Sequence, residues 1–192
     1  MWSQLSRSAD PGHVGAVLHA LRGATPRCGP TAVVALDGPS GSGKTTLAAA
    51  LADALDAPVV HLDAVYPGWD GLAAAVPIVV DEVLTPLSRG LTARYRTWDW
   101  AADAWNGRLE VAPTPVLVLE GCGAATGAAG DLAAVRVWLE APVDVRRRRG
   151  LERDGDTFAP HWDRWAAQES ALFAADRTRE RADVVLSTGE AT

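Results

Sequence analysis

Lysine is almost missing from this chain: Lys44 is its only one, and every other basic residue is arginine. Cysteine is scarce as well. Cys28 and Cys122 have neither metal-ligand spacing nor the density of a disulfide scaffold, and are expected to be unrelated thiols in a reducing cytoplasm. A basic surplus is absent too, with a formal net charge of −6 and a pI near 5.2. Arg146 to Arg149 form the only basic cluster, so a nucleic-acid partner is excluded. The start, Met1-Trp2-Ser3-Gln4-Leu5, lacks a charged and then apolar leader pattern, and no apolar run approaches a membrane span. No membrane partner is expected. Internal repeats and low-complexity segments are also missing.

The conspicuous stretch that is present runs Asp37-Gly38-Pro39-Ser40-Gly41-Ser42-Gly43-Lys44-Thr45-Thr46 and fits G-x-x-x-x-G-K-[ST]. The β-branched apolar run Thr31 to Leu36 precedes it and reads as a buried strand. The Ala- and Leu-rich run to Leu55 follows it and reads as a helix. Glycines let such a loop curl until its N–H groups face inward, and the next helix adds its own unpaired N–H groups there. Gly38, Ser40, Gly41, Ser42, Gly43, Lys44, Thr45 and Thr46 are therefore the expected nucleotide-binding residues, with ATP and Mg²⁺ as cofactors. Lys44 is expected to reach the β/γ-phosphates, where a compact ammonium suits better than a guanidinium, and the Thr45 hydroxyl to ligate Mg²⁺.

With 192 residues, about half of them apolar, the chain reads as one domain. An N-terminal helix (Pro11 to Arg22) and linker occupy residues 1–30, and the core occupies 31–192. Further strands are expected over Pro58 to Leu62, Pro115 to Leu119, Val135 to Leu139 and Asp183 to Leu186. Helices are expected over Thr45 to Leu55, Val143 to Arg153, Pro160 to Phe173, and Pro77 to Ser88 with a proline in its first turn. Arg94 to Trp98 and Arg108 to Val111 are expected to pair as a hairpin. Strands separated by helices indicate an α/β fold with a largely parallel sheet, whose ligands collect beyond the carboxyl ends of the strands. Asp37, Asp63, Glu120 and the arginines after Leu139 occupy those ends.

The loop alone does not name a reaction. A switch GTPase needs an Asn-Lys-x-Asp reader, which a chain whose single lysine is Lys44 lacks; no Asp-x-x-Gly follows the loop either. A transport or remodelling ATPase needs signature or sensor elements that are absent. A compact kinase remains, and the chain from about Thr31 to Leu186 resembles the uridine kinase/phosphoribulokinase group. The resemblance rests on Ser40-Gly41-Ser42-Gly43-Lys44-Thr45-Thr46, on Leu62-Asp63-Ala64-Val65-Tyr66, and on Leu87-Ser88-Arg89-Gly90 followed by Trp98-Asp99-Trp100. It extends through Leu119-Glu120-Gly121 and Arg149-Gly150-Leu151-Glu152-Arg153-Asp154. It implies the P-loop NTPase fold, five core parallel strands with flanking helices, a small β-hairpin and an Arg-rich lid, and a kinase acting on a nucleoside or similar alcohol.

The chemistry reads in parallel. Phosphoryl transfer to a hydroxyl needs positioning, charge neutralisation and a place for the proton. Asp63, at a strand end facing the loop, is the expected base; Glu120 is expected to hold Mg²⁺ with Thr45. Arg149 and Arg153, four apart on one helix face, are expected to neutralise the transferred phosphate alongside Lys44, with Arg148 in reserve and Arg146 and Arg147 solvated or paired. Trp69, Trp98 and Trp100 are expected to offer ring faces to the acceptor, and Tyr66 and Asp99 to bond its hydroxyls. Asp103 stands where the resembled family has a histidine that helps select a pyrimidine. A carboxylate there suits a donor-bearing ring edge or an amine. The expected partner is thus a small-molecule acceptor. Two other enzymatic readings are a nucleoside monophosphate kinase, for which Arg94 and Arg96 are the obvious anion ligands, and a natural-product phosphotransferase. A non-catalytic nucleotide-binding module is the rival from another class.

Overall fold

The computed structural model describes residues 9–189; Met1 to Leu5 lie outside them. Helix α1 (Pro11–Arg22) starts at Asp10, whose carboxylate accepts from the Gly12 N–H at 2.7 Å, and Pro11 fits its first turn. Its Val17 is fully buried against Val34, Leu36 and Leu51, so the helix belongs to the core. Strand β1 (Ala32–Asp37) is buried at every position, as a strand covered on both faces must be. It leads through the glycine-rich loop into α2 (Lys44–Leu55), then β2 (Val59–His61) and a single 3₁₀ turn over Leu62–Ala64.

The next helix departs from expectation. It begins at Leu72 rather than Pro77: α3 (Leu72–Val79) continues through a π turn (Val80–Leu84) into α4 (Thr85–Ser88). Pro77 therefore sits inside the helix, where a proline costs about 3 kcal/mol. Leu72, Ala75, Val76 and Val79 are all buried on one side, and burying such side chains stabilises by about 1.5–3 kcal/mol for each Leu or Val, which outweighs the lost bond. Strands β3 (Ala93–Asp99) and β4 (Ala104–Val111) form the antiparallel hairpin, longer than the sequence pattern suggests because its last pair joins Asp99 to Ala104.

The remaining elements are β5 (Val116–Glu120), α5 (Gly127–Leu132), β6 (Val135–Glu140), α6 (Val143–Asp154), α7 (Trp162–Asp176), α8 (Thr178–Arg181) and β7 (Val184–Ser187). The short α5 and α8 carry no periodic apolar pattern and were not expected. The main sheet runs β2-β5-β1-β6-β7, parallel throughout, with β3 and β4 apart as their own ribbon. From the central β1 the chain passes to β2 and β5 on one side, then to β6 and β7 on the other. This reversal opens a crevice at the carboxyl end of β1, where the glycine-rich loop lies. No described helix is long and apolar enough to cross a membrane.

Candidate active site

The loop between β1 and α2 is fixed from outside and lined by donors within. Gly38, Gly41 and Gly43 all have positive φ. At Gly41 the constraint is steric as well, since a Cβ there would meet the Arg146 carbonyl oxygen at 2.2 Å. Asp37 is buried and accepts from the N–H groups of Gly38 (2.7 Å), Gly123 (2.9 Å) and Ala125 (2.8 Å), which ties the loop to the segment after β5. Burial pushes its carboxyl up to about 6 although these donors favour the anion.

Lys44 is buried, and its ammonium donates to the carbonyls of Gly38 (2.7 Å) and Pro39 (3.1 Å). Burial opposes that charge. Cys122 lies 3.6 Å away, but burial drives its thiol far up, so the Glu169, Glu120 and Asp37 carboxylates are what hold the ammonium above its ordinary value. Thr45 and Thr46 stand exposed at the start of α2. The Thr45 hydroxyl reaches Glu120 Oε1 at 3.4 Å, so the two expected metal ligands are adjacent. Ser40 and Ser42 are in the same loop, and the Ser42 hydroxyl is buried with no partner among the described residues. A glycine-rich turn that opens a helix, a buried ammonium, an orphan hydroxyl and a Thr–carboxylate pair fit a nucleoside triphosphate with Mg²⁺, which keeps several of its ligands from phosphate and water.

Asp63 lies in the 3₁₀ turn after β2, beside Glu120. Gly121 permits this closeness: a Cβ at that position would stand 2.6 Å from Leu62 Cβ. The Asp63 side chain keeps open surface, yet dense surroundings remove much of its hydration, as on the floor of a cleft. That desolvation, then the Glu120 charge, raises its carboxyl above the ordinary value, while Arg153 and Lys44 pull it down. No donor among the described residues bonds its carboxylate. The backbone carbonyl of Asp63 is fixed instead, accepting from the Trp100 indole at 2.9 Å.

Two arginines from α6 approach the loop. Arg149 donates to the Gly41 carbonyl (3.4 Å) and to the hydroxyl (2.9 Å) and carbonyl (2.7 Å) of Thr188. Arg153 pairs with its neighbour Asp154 at 2.7 Å; burial opposes its charge, but Asp154 and then Asp63 more than restore it. Arg148 points away and pairs with Glu152. Arg146, expected to be solvated or paired with a carboxylate, lies 3.9 Å from the buried Glu169 and also donates to the Ser40 carbonyl at 3.2 Å, a contact with the loop that was not expected.

Among the aromatic and polar residues expected at the acceptor, the structure separates three kinds. Tyr66 is withdrawn from the surface: it is 1% exposed, its hydroxyl donates to the Cys122 carbonyl at 2.9 Å, and its ring meets Trp165 edge-on. Asp99 is also committed elsewhere, accepting from Ala101 and Ala102 N–H (both 3.0 Å) and from Asn106 (3.0 Å) to close the hairpin turn. Both side chains thus already hold backbone or hairpin partners in this structure. Trp69, Trp98 and Asp103, by contrast, line one cavity of about 340 Å³ together with Asp70 and Arg164. Trp100 does not line it; its ring packs on Trp69 at 4.7 Å while its indole N–H holds the Asp63 carbonyl.

Three residues escaped the sequence reading. His61 donates or accepts at Glu120 Oε1 (2.5 Å), and this bond raises its imidazole above the ordinary value; its place two residues before Asp63 was the available signal. Glu169, 3% exposed on α7, accepts from the Ser40 N–H at 2.7 Å and from the Cys122 thiol at 3.2 Å. Cys122 is accordingly part of the site. Nothing local in sequence marks Glu169, which stands 129 positions from Ser40.

No family model matches the chain. It is 30% identical over 154 residues to the cytidylate kinase of Haloarcula marismortui, a match covering 79% of this chain and 67% of that protein. Its fold is similar to that of a possible uridine kinase from Bacillus stearothermophilus, with a TM-score of 0.66, 19% identity, and coverage of 91% of this chain and 97% of the other. Shikimate kinase from Acinetobacter baumannii is also similar, with a TM-score of 0.52, 19% identity, and coverage of 84% and 86%.

Proposed function

The chain belongs to the small-molecule P-loop kinases, the group that holds cytidylate kinase and the uridine kinase-like enzymes, and from that premise we propose that it moves the γ-phosphoryl group of ATP onto a hydroxyl of a nucleoside or nucleoside-like alcohol, with Asp63 as the base. The observation that supports this reading is the Asp63 carboxylate: unbonded among the described residues, raised, and within reach of the Glu120 and Lys44 charges, on a residue whose carbonyl holds Trp100 against the cavity residue Trp69.

Bound ATP with Mg²⁺ supplies the phosphoryl group and neutralises part of its charge. Lys44 exchanges its loop carbonyls for phosphate oxygens, and Thr45 and Glu120 would hold the metal. Asp63 accepts a hydrogen bond from the acceptor hydroxyl, orients its oxygen and takes its proton at a carboxylate oxygen. Arg149 and Arg153 lend positive charge from α6 to the transferred group. Gln168 fixes the acceptor wall by donating to the Trp69 carbonyl at 2.7 Å.

A second reading, transfer to a nucleoside monophosphate, draws on the cytidylate kinase likeness. The expected anion ligands weigh against it, since Arg94 pairs with Glu110 and Arg96 with Glu82. ATP turnover is to be measured with nucleosides, nucleoside monophosphates and amino-alcohols, for wild type and Asp63→Asn. The expected result is acceptor-dependent ADP with unphosphorylated alcohols, reduced about 100- to 10,000-fold by Asp63→Asn while nucleotide affinity holds. Undiminished turnover in Asp63→Asn removes the base assignment, and turnover with monophosphates alone selects the second reading.

A further inference from the structure

The acceptor cavity has a charge imbalance. Two carboxylates, Asp70 and Asp103, and one cation, Arg164, line it together with Trp69 and Trp98. Arg164 is spoken for: it lies 3.4 Å from Asp70 and 3.1 Å from His161 Nδ1. Asp103 has no hydrogen bond or ion pair among the described residues. It is held in place all the same, as the last turn residue before β4 at φ 48°, in a turn that Asp99 closes. A solvated carboxylate needs no partner. One on the wall of a cavity that Trp98 also lines favours a cation, because the ring quadrupole and the carboxylate attract the same sign; Trp69 lines the cavity too, but its ring is stacked by His161 (4.3 Å) and Phe158 (5.6 Å). A phosphate or carboxylate on the ligand would meet Asp103 with no unpaired guanidinium to offset it.

We propose that the acceptor carries a protonated amine, seated against Trp98 and neutralised by Asp103, at the end of the molecule away from the hydroxyl presented to Asp63. This names the acceptor class within the kinase reading and rests on it. Asp103 is then the residue that determines specificity, in contact with substrate but not with the reacting atoms. Trp98 serves as a cation-binding face, and Trp69, held in its stack with His161 and Phe158, as an apolar wall.

The test uses matched probes that differ by an amine in place of a hydroxyl: serinol against glycerol, glucosamine against glucose, and 3′-amino-3′-deoxyadenosine against adenosine. Binding is read by tryptophan fluorescence with a non-hydrolysable ATP analogue present, and transfer by acceptor-dependent ADP release. Wild type is expected to favour the amine in at least one pair by about tenfold, with Asp103→Asn erasing that ratio and Asp103→Glu restoring part of it. Equal binding of both members of every pair overturns the inference, as does a preference that survives Asp103→Asn, or no binding of any amine. The two arms separate the claims. Asp103-dependent amine binding without transfer leaves this inference standing and removes the kinase reading for these acceptors, whereas transfer without amine preference does the reverse.

Discussion

The glycine-rich loop and the β3–β4 hairpin are built on opposite principles. The loop is restrained from several sides: Asp37 ties it to the segment after β5, Glu169 to α7, and Arg146 and Arg149 to α6. The hairpin lies outside the main sheet, and its outer half is open to solvent, with Asp99 closing the turn and Trp98 meeting Trp105 edge-on. The phosphate end is common to every reaction of this chemistry and tolerates little play. The acceptor end chooses a molecule, and a partly exposed ribbon can vary its side chains without disturbing the core.

The contrast can be broken most severely at Gly41. Gly41→Ala is expected to abolish nucleotide binding and to lower stability by about 1–3 kcal/mol from backbone strain alone, because a Cβ meets the Arg146 carbonyl at 2.2 Å and φ is +78°. Calorimetry and nucleotide titration read both effects, and a variant that binds normally would show the loop to be looser than its contacts imply. Next comes the electrostatics of Asp63. A base must be ionised, and desolvation with Glu120 raises this carboxyl, so activity falls as pH drops through a value above the ordinary 3.8. Arg153 opposes the rise; Arg153→Ala is therefore expected to move the acidic limb of the rate profile to higher pH, and an unmoved limb would separate Arg153 from the base.

A smaller effect sharpens the boundary between the two regions. Tyr66→Phe loses one buried hydrogen bond to Cys122, worth about 0.5–1.5 kcal/mol, and is expected to lower Tm while leaving the acceptor KM alone. A raised KM would return Tyr66 to the substrate. Asp99→Ala is expected to do least, with global stability unchanged and hydrogen exchange accelerated at Ala101 and Ala102, whose N–H groups it caps.

The sequence made the sheet legible because buried parallel strands are unbroken apolar runs, and Val33-Val34-Ala35-Leu36 needs no partner to be read. It also placed Thr45, Asp63 and Glu120 at strand and helix ends, where the structure gathers them. The start at Leu72 was hidden because a proline signals a first turn more strongly than an alanine-rich run signals a helix already under way. The backbone partners of Tyr66 and Asp99 were hidden for a common reason: a polar group beside a ligand site looks the same in sequence whether it faces the ligand or the backbone. Glu169 and Arg146 act on Ser40 through space, and no local pattern encodes a partner so distant along the chain.

The Glu169 carboxylate on the Ser40 N–H has a further consequence. The loop carries a resident anion of its own, and Lys44 already spends its protons on the carbonyls of Gly38 and Pro39. Nucleotide thus arrives at a hand already closed, trading one set of partners for another rather than organising a slack chain, and the gain on docking is a difference between two satisfied states. Bare inorganic phosphate, with little else to offer in that trade, should be a poor competitor for this seat.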